Sequence, residues 1–138
     1  MKFRKKLVTL GLIGSLTVCQ SLNAFAATFS VTSPVLISKS VVSGKATVHM
    51  KATVTANVSS YCLGVEEWFT YSTSYGAQID SKKMINQSTA SVSSFTYDPA
   101  FTDGTSAVSV ESITAQGFRR SGPTGTLIYI EKKTTTLN

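Results

Sequence analysis

From Ala46 to Val58 every even-numbered position is apolar (Ala46, Val48, Met50, Ala52, Val54, Ala56, Val58), and the odd positions between hold Thr47, His49, Lys51, Thr53, Thr55 and Asn57. Successive side chains of a strand point to opposite faces, so this run predicts a strand with one apolar and one polar face. Two near-identical hexads, KATVHM and KATVTA, lie back to back within it. An even repeat keeps both faces in register, and a slip of one residue would expose the whole apolar face. At ~3.3 Å per residue the run spans roughly 40 Å, long for a globular strand, which predicts strong twist or passage between two sheets.

The same alternation recurs along the chain. Residues 28–33 (TFSVTS) place Phe29 and Val31 on one parity before Pro34, and residues 35–42 (VLISKSVV) end at the turn Ser43-Gly44. Residues 66–75 (EEWFTYSTSY) align Phe69, Tyr71 and Tyr75, and residues 90–97 (ASVSSFTY) run into Asp98-Pro99, a pairing typical of turns. In residues 105–118 the apolar parity shifts from Val108 and Val110 to Ile113 and Ala115, which predicts a β-bulge near Glu111-Ser112. A last strand follows the loop RRSGPTG. Residues 76–87 carry the weakest pattern and are read as a loop or a single helical turn. No stretch shows a helical apolar period of useful length. About seven short strands separated by turn residues predict an all-β fold, a single immunoglobulin-like antiparallel β-sandwich.

The N-terminus has a different character. Lys2, Arg4, Lys5 and Lys6 precede an apolar run, LVTLGLIGSLTV, and the segment closes on Ala24-Phe25-Ala26. A charged start, a short apolar centre and a small-residue exit predict a secretory signal peptide over residues 1–26, cut between Ala26 and Ala27. The mature domain is then residues 27–138, and its apolar leader is too short to span a bilayer. Leu16-Thr17-Val18-Cys19 offers a looser alternative, lipidation at Cys19, which Val18 disfavours.

Removing the leader changes the charge argument. Nine of the thirteen basic residues remain against all seven acids, a net charge of +2 in place of +6. That is too little for a nucleic-acid surface, which needs a clustered basic face. Serine and threonine fill 35 of the 112 mature positions, but they alternate with Val, Ile, Phe and Tyr as strands require and disorder does not. Cys62 is the one cysteine left after export, so no internal disulfide is available. It is read as a buried thiol, with an intermolecular disulfide or a reactive thiol as the alternatives, giving a monomer or a Cys62-linked dimer.

Candidate chemistry is sparse. His49 falls on the polar face of its strand, with no Cys, Asp or Glu beside it, and no serine sits in a nucleophile elbow. Glu66 and Glu67 are adjacent on a strand and must face opposite sides, so they cannot act as a carboxylate pair. Asp98 and Asp103 bracket the loop DPAFTDG, where they could hold a weak calcium ion together with backbone oxygens, but the spacing matches no EF-hand and an ordinary Asp-rich turn is the expected reading. No catalytic residue, metal or cofactor is assigned.

Recognition is the better-supported role. If Phe69, Tyr71 and Tyr75 pack inward, Trp68 is left outside as a candidate anchor for a protein partner or a sugar, unless a bulge or a covering loop buries it as well. Arg119 and Arg120 enter the SGPTG loop and are candidate contacts to an anionic polymer or acidic patch. Lys132-Lys133 would guard an edge strand against pairing with another chain. The expectation is a secreted, extracellular, non-enzymatic bacterial β-sandwich that binds a protein or cell-envelope ligand. The alternative is a secreted toxin or antimicrobial protein acting on competing cells.

Overall fold

The computed structural model describes residues 26–138. The expected export signal and the Cys19 alternative lie outside the described residues, apart from Ala26 at the expected cleavage point. Ten strands are formed: β1 (Phe29–Val31), β2 (Val35–Val42), β3 (Lys45–Ala56), β4 (Cys62–Thr73), β5 (Gln78–Asp80), β6 (Met84–Gln87), β7 (Ser94–Tyr97), β8 (Ala100–Asp103), β9 (Ala107–Arg120) and β10 (Ile128–Thr136). They make two antiparallel sheets packed as a β-sandwich, and no helix occurs among the described residues. Nothing in that region is therefore a helix long and apolar enough to cross a membrane.

The alternating run of residues 45–56 is the spine of the first sheet. β3 carries β1 and β2 along one edge and β7 and β8 along the other. The two flanking ribbons are each interrupted at a buried proline, Pro34 or Pro99, because a proline ring has no N–H to give to the ladder. Asp98-Pro99 is not the chain-reversing turn that its sequence suggests. Tyr97 pairs with Ala52 and Ala100 with His49, so the ribbon runs on in register through it, and the Pro99 carbonyl still accepts from the Met50 N–H at 3.1 Å. A two-residue hairpin at Ser43-Gly44 joins β2 to β3, both residues having the positive φ (51° and 74°) that such a tight turn requires.

The second sheet has the order β10–β9–β4, with β5 and β6 lying end to end along the far edge of β4. These two short strands occupy residues expected to be a loop or a helical turn. Pairing with β4, rather than their own exposed and unpatterned side chains, holds them in place. The expected bulge is present: Thr70 pairs with Ser112 and Tyr71 with Val110, leaving Glu111 as the extra residue. Its carboxylate accepts from Ser72 and Ser109, and its carbonyl from Leu137, so the bulge is pinned on three sides. β10 is an edge strand, as Lys132-Lys133 suggests, and it is tied to the other sheet by the Thr135 hydroxyl donating to the Pro34 carbonyl at 2.8 Å.

The space between the sheets holds two apolar clusters. One gathers Ala46, Val48, Met50 and Phe101 against Phe69, Tyr71, Val110 and Ile113; the other gathers Val31, Ala52 and Val54 against Leu63, Val65 and Ala115. The inward position of β4 between Val65 and Phe69 belongs to neither, because Glu67 occupies it.

Candidate binding face on sheet two

β4 is buried along almost its whole length, although only one of its faces meets the core. The inward residues are Leu63, Val65, Glu67, Phe69 and Tyr71. The outward ones are Gly64, Glu66, Trp68 and Thr70, paired across to Phe118, Gln116, Thr114 and Ser112 of β9. At the near end Phe118 lies over Gly64: a Cβ added there would fall 2.2 Å from the ring. The missing side chain is what lets the aromatic ring lie flat on the sheet.

At the centre of this outer face is Glu66, only 7% exposed. One carboxylate oxygen accepts from the Tyr129 hydroxyl at 2.7 Å, and the other has no hydrogen-bond donor among the described residues. The nearest cation to that oxygen is Lys83 Nζ, 3.6 Å away and beyond hydrogen-bond reach. The same ammonium stands 4.6 Å from the centre of the Trp68 ring. The hydrogen bond to Glu66 also raises the Tyr129 phenol above its usual pKa. Around this centre Lys83, Ile85 and Tyr129 remain about half exposed.

Tyr75, expected inward with Phe69 and Tyr71, lies 89% exposed in the turn after β4, and the expected exposure of Trp68 is corrected too. Trp68 does point away from Phe69 and the core, as strand parity requires, yet it is 7% exposed. The reason is local: Lys83 lies across the ring, and β6 and β9 flank β4 on either side. Arg119 and Arg120 are not a free basic loop tip either. Arg120 donates to the Gly125 carbonyl at 3.2 Å and stands over Phe118, folding the loop back onto the outer face that holds Trp68. Arg119 turns to the other side, where its guanidinium stacks 4.7 and 4.9 Å from the rings of Phe29 and Tyr61. Cys62 is a free thiol, 1% exposed, which fits the buried reading and keeps it from a second chain in the folded state.

Glu67, invisible as a site in the sequence, is the strongest electrostatic anomaly of the molecule. It is fully buried, and neither carboxyl oxygen has a hydrogen-bond partner among the described residues. Burial, and secondarily the negative charge of Asp98, push its pKa up to about 8; the Ala52 backbone pulls the other way without reaching hydrogen-bond geometry. Tyr97 is raised in turn, by its own burial and by Glu67. Asp98 itself points to the outer face of the first sheet, where it meets His49 at 2.6 Å. That contact links residues far apart in sequence and gives His49 a partner that its own strand does not supply. Asp103 is committed elsewhere, accepting from the Lys82 and Gly104 N–H groups, so the two aspartates do not converge on a common ion. Among the described residues no three His, Cys, Asp or Glu side chains are grouped as metal ligands.

An open groove of about 290 Å³ lies between β2 and β9, lined by Lys39, Val41, Val108 and Val110 among others. Its one cation, Lys39, already donates to the Val110 carbonyl at 3.2 Å, so the groove presents little chemistry of its own.

No protein-family model matches this chain, and no curated protein matches it. A crystal structure of a provisionally named ApaA protein from Bordetella pertussis is similar over 79% of this chain and 91% of that one, at 14% identity and a TM-score of 0.39. A likeness that loose carries neither fold nor function across.

Proposed function

We propose that this chain is a small secreted, non-enzymatic sandwich of immunoglobulin-like build that binds a protein or cell-envelope ligand through the outer face of its second sheet. The observation that carries the reading is the make-up of that face. A buried carboxylate and the only tryptophan sit side by side, ringed by the half-exposed Lys83, Ile85 and Tyr129. Binding surfaces draw most of their energy from a few aromatic and charged groups set in a rim that excludes water. Secretion is supported by the charged start, apolar centre and Ala-Phe-Ala exit of residues 1–26. The non-enzymatic reading is supported by the separation of the titratable groups: Glu66 and Glu67 face opposite ways, and the His49–Asp98 pair lies on the outer surface of the other sheet.

The test is binding of purified exported protein to cell-envelope fractions and their extracted proteins. Ile85→Lys places a cation in the rim directly opposite Glu66 and is expected to weaken binding at least ten-fold without lowering the unfolding midpoint. Wild-type binding by Ile85→Lys and by Tyr129→Ala would remove this face from the account.

A further inference from the structure

We propose that Glu66 and Trp68 form a site for the primary ammonium of a lysine side chain on a partner protein, and that Lys83 is its internal stand-in. This rests on the reading of the outer face of sheet two as the binding face and names the chemistry recognised there.

The geometry is that of ammonium recognition. A cation is attracted to the face of an aromatic ring within about 6 Å of its centre, most strongly by tryptophan. A carboxylate beside the ring supplies the compensating charge. Lys83 Nζ occupies this position, 4.6 Å from the Trp68 ring centre and 3.6 Å from a Glu66 oxygen. That oxygen is buried and lacks a hydrogen-bond donor, so Lys83 fills the site without completing it. The opposite oxygen is already held by Tyr129, which fixes the orientation of the carboxylate.

Why Lys83 falls short follows from its backbone. It lies between β5 and β6, where the Ser81 N–H donates to Phe69 and the Lys82 N–H to Asp103 at 2.8 and 2.6 Å, and Met84 begins the pairing of β6 with Glu67. The main chain is therefore held in place, while the Lys83 side chain is 54% exposed to solvent. A lysine arriving from outside is not bound by that anchor and can approach the free oxygen at the ~2.8 Å of a charge-assisted hydrogen bond. Ile85, paired opposite Glu66, and Tyr129, bonded to it, are each about half exposed and would pack against the aliphatic stem of the incoming side chain.

Trp68 is the sole tryptophan, so its fluorescence reports this site alone. The probe is Nα-acetyl-lysine amide, titrated into the wild type, Lys83→Ala, and Lys83→Ala combined with Glu66→Gln. Lys83→Ala is expected to show saturable quenching, at least ten-fold tighter than the wild type, and Glu66→Gln is expected to weaken it at least ten-fold. Nα-acetyl-norleucine amide, which lacks the ammonium, is expected to give no saturable change. Lys83→Met keeps the aliphatic cover over Trp68 and serves if the alanine variant does not fold. No saturable response in either variant, or an equal response to the norleucine probe, overturns the assignment. A response to glucosamine but not to the lysine probe overturns it in favour of an amino sugar. If Ile85→Lys abolishes envelope binding while the lysine probe is silent, the ammonium site fails and the binding face stands.

Discussion

Glu66 and Glu67 are consecutive residues of β4 whose carboxyl groups lie on opposite sides of one sheet. Glu66 faces outward, with Tyr129 and Lys83 gathered around it; Glu67 faces the seam between two apolar clusters with no hydrogen-bond partner. One strand thus carries two carboxyl groups whose environments differ as far as the fold allows. The outward one organises a surface, and the inward one makes stability depend on pH.

The pH dependence has a definite sign. Folded Glu67 keeps its proton up to about pH 8, whereas an ordinary carboxyl in the unfolded chain releases it near 4.5. Its contribution is therefore fullest below about pH 4.5, declines as the pH rises towards 8, and is flat beyond. Glu67→Gln cannot ionise and should be more stable than the wild type by up to about 5 kcal/mol at alkaline pH, with the difference closing in acid. Urea unfolding midpoints at the two ends of the range check this; a difference independent of pH would show that Glu67 is not buried as described.

Gly64 makes the aromatic cover of the outer face possible. A Cβ there would meet the Phe118 ring at 2.2 Å and the Asn86 carbonyl at 2.7 Å. The carbonyl is backbone of a paired strand and cannot move aside cheaply. Gly64→Ala should lower stability by about 1–3 kcal/mol, the usual effect of overpacking, measured by chemical denaturation.

Arg119 bridges the end of the sandwich and takes no part in the proposed face. Arg119→Ala should lose its stacking on Phe29 and Tyr61, lowering stability by about 1 kcal/mol, and should leave envelope binding within two-fold of wild type. A large loss of binding without loss of stability would restore Arg119 as a contact residue.

The His49–Asp98 pair is short but solvent-facing, with side chains 34% and 48% exposed. Exposed pairs contribute little, so His49→Ala should change stability by less than about 0.5 kcal/mol. Thermal unfolding in low and high salt measures it; loss of folding would mean that His49 supports the Pro99 joint.

Cys62, at 1% exposure, should resist an aqueous thiol reagent in the native protein and react at once in denaturant. The mass of the purified protein without reductant should be that of a monomer. Rapid native labelling or a reducible dimer would place Cys62 at the surface.

Much of this architecture is legible in the sequence, for physical reasons. The parity of residues 46–56 fixes which side of β3 is buried, and the shift of parity around Glu111 marks the bulge, because both are local consequences of a two-residue period. Trp68 was half legible. Its direction follows from Phe69, but its cover comes from Lys83 on another strand connection, which no local pattern carries. The same holds for Glu67, whose inward direction follows from Val65 and Phe69 while its coupling to Asp98 depends on the pairing of distant strands. β5 and β6 were not legible because their side chains are exposed and their order comes from β4. Pro99 misled because proline before a short apolar run usually signals a reversal, whereas here it only interrupts one ladder bond.

Hydroxyl-radical footprinting of the protein alone and mixed with the cell-envelope fractions proposed to hold its ligand tests the account most directly, since it reads each exposed side chain separately. The account predicts protection of Ile85 and Tyr129 on binding, with Tyr75 in the distant β4–β5 turn and Val35, Ile37 and Val108 at the β2–β9 edge unchanged. Protection of Val35, Ile37 and Val108, with Ile85 and Tyr129 unaffected, would contradict it and move the binding surface to the open edge of the sandwich.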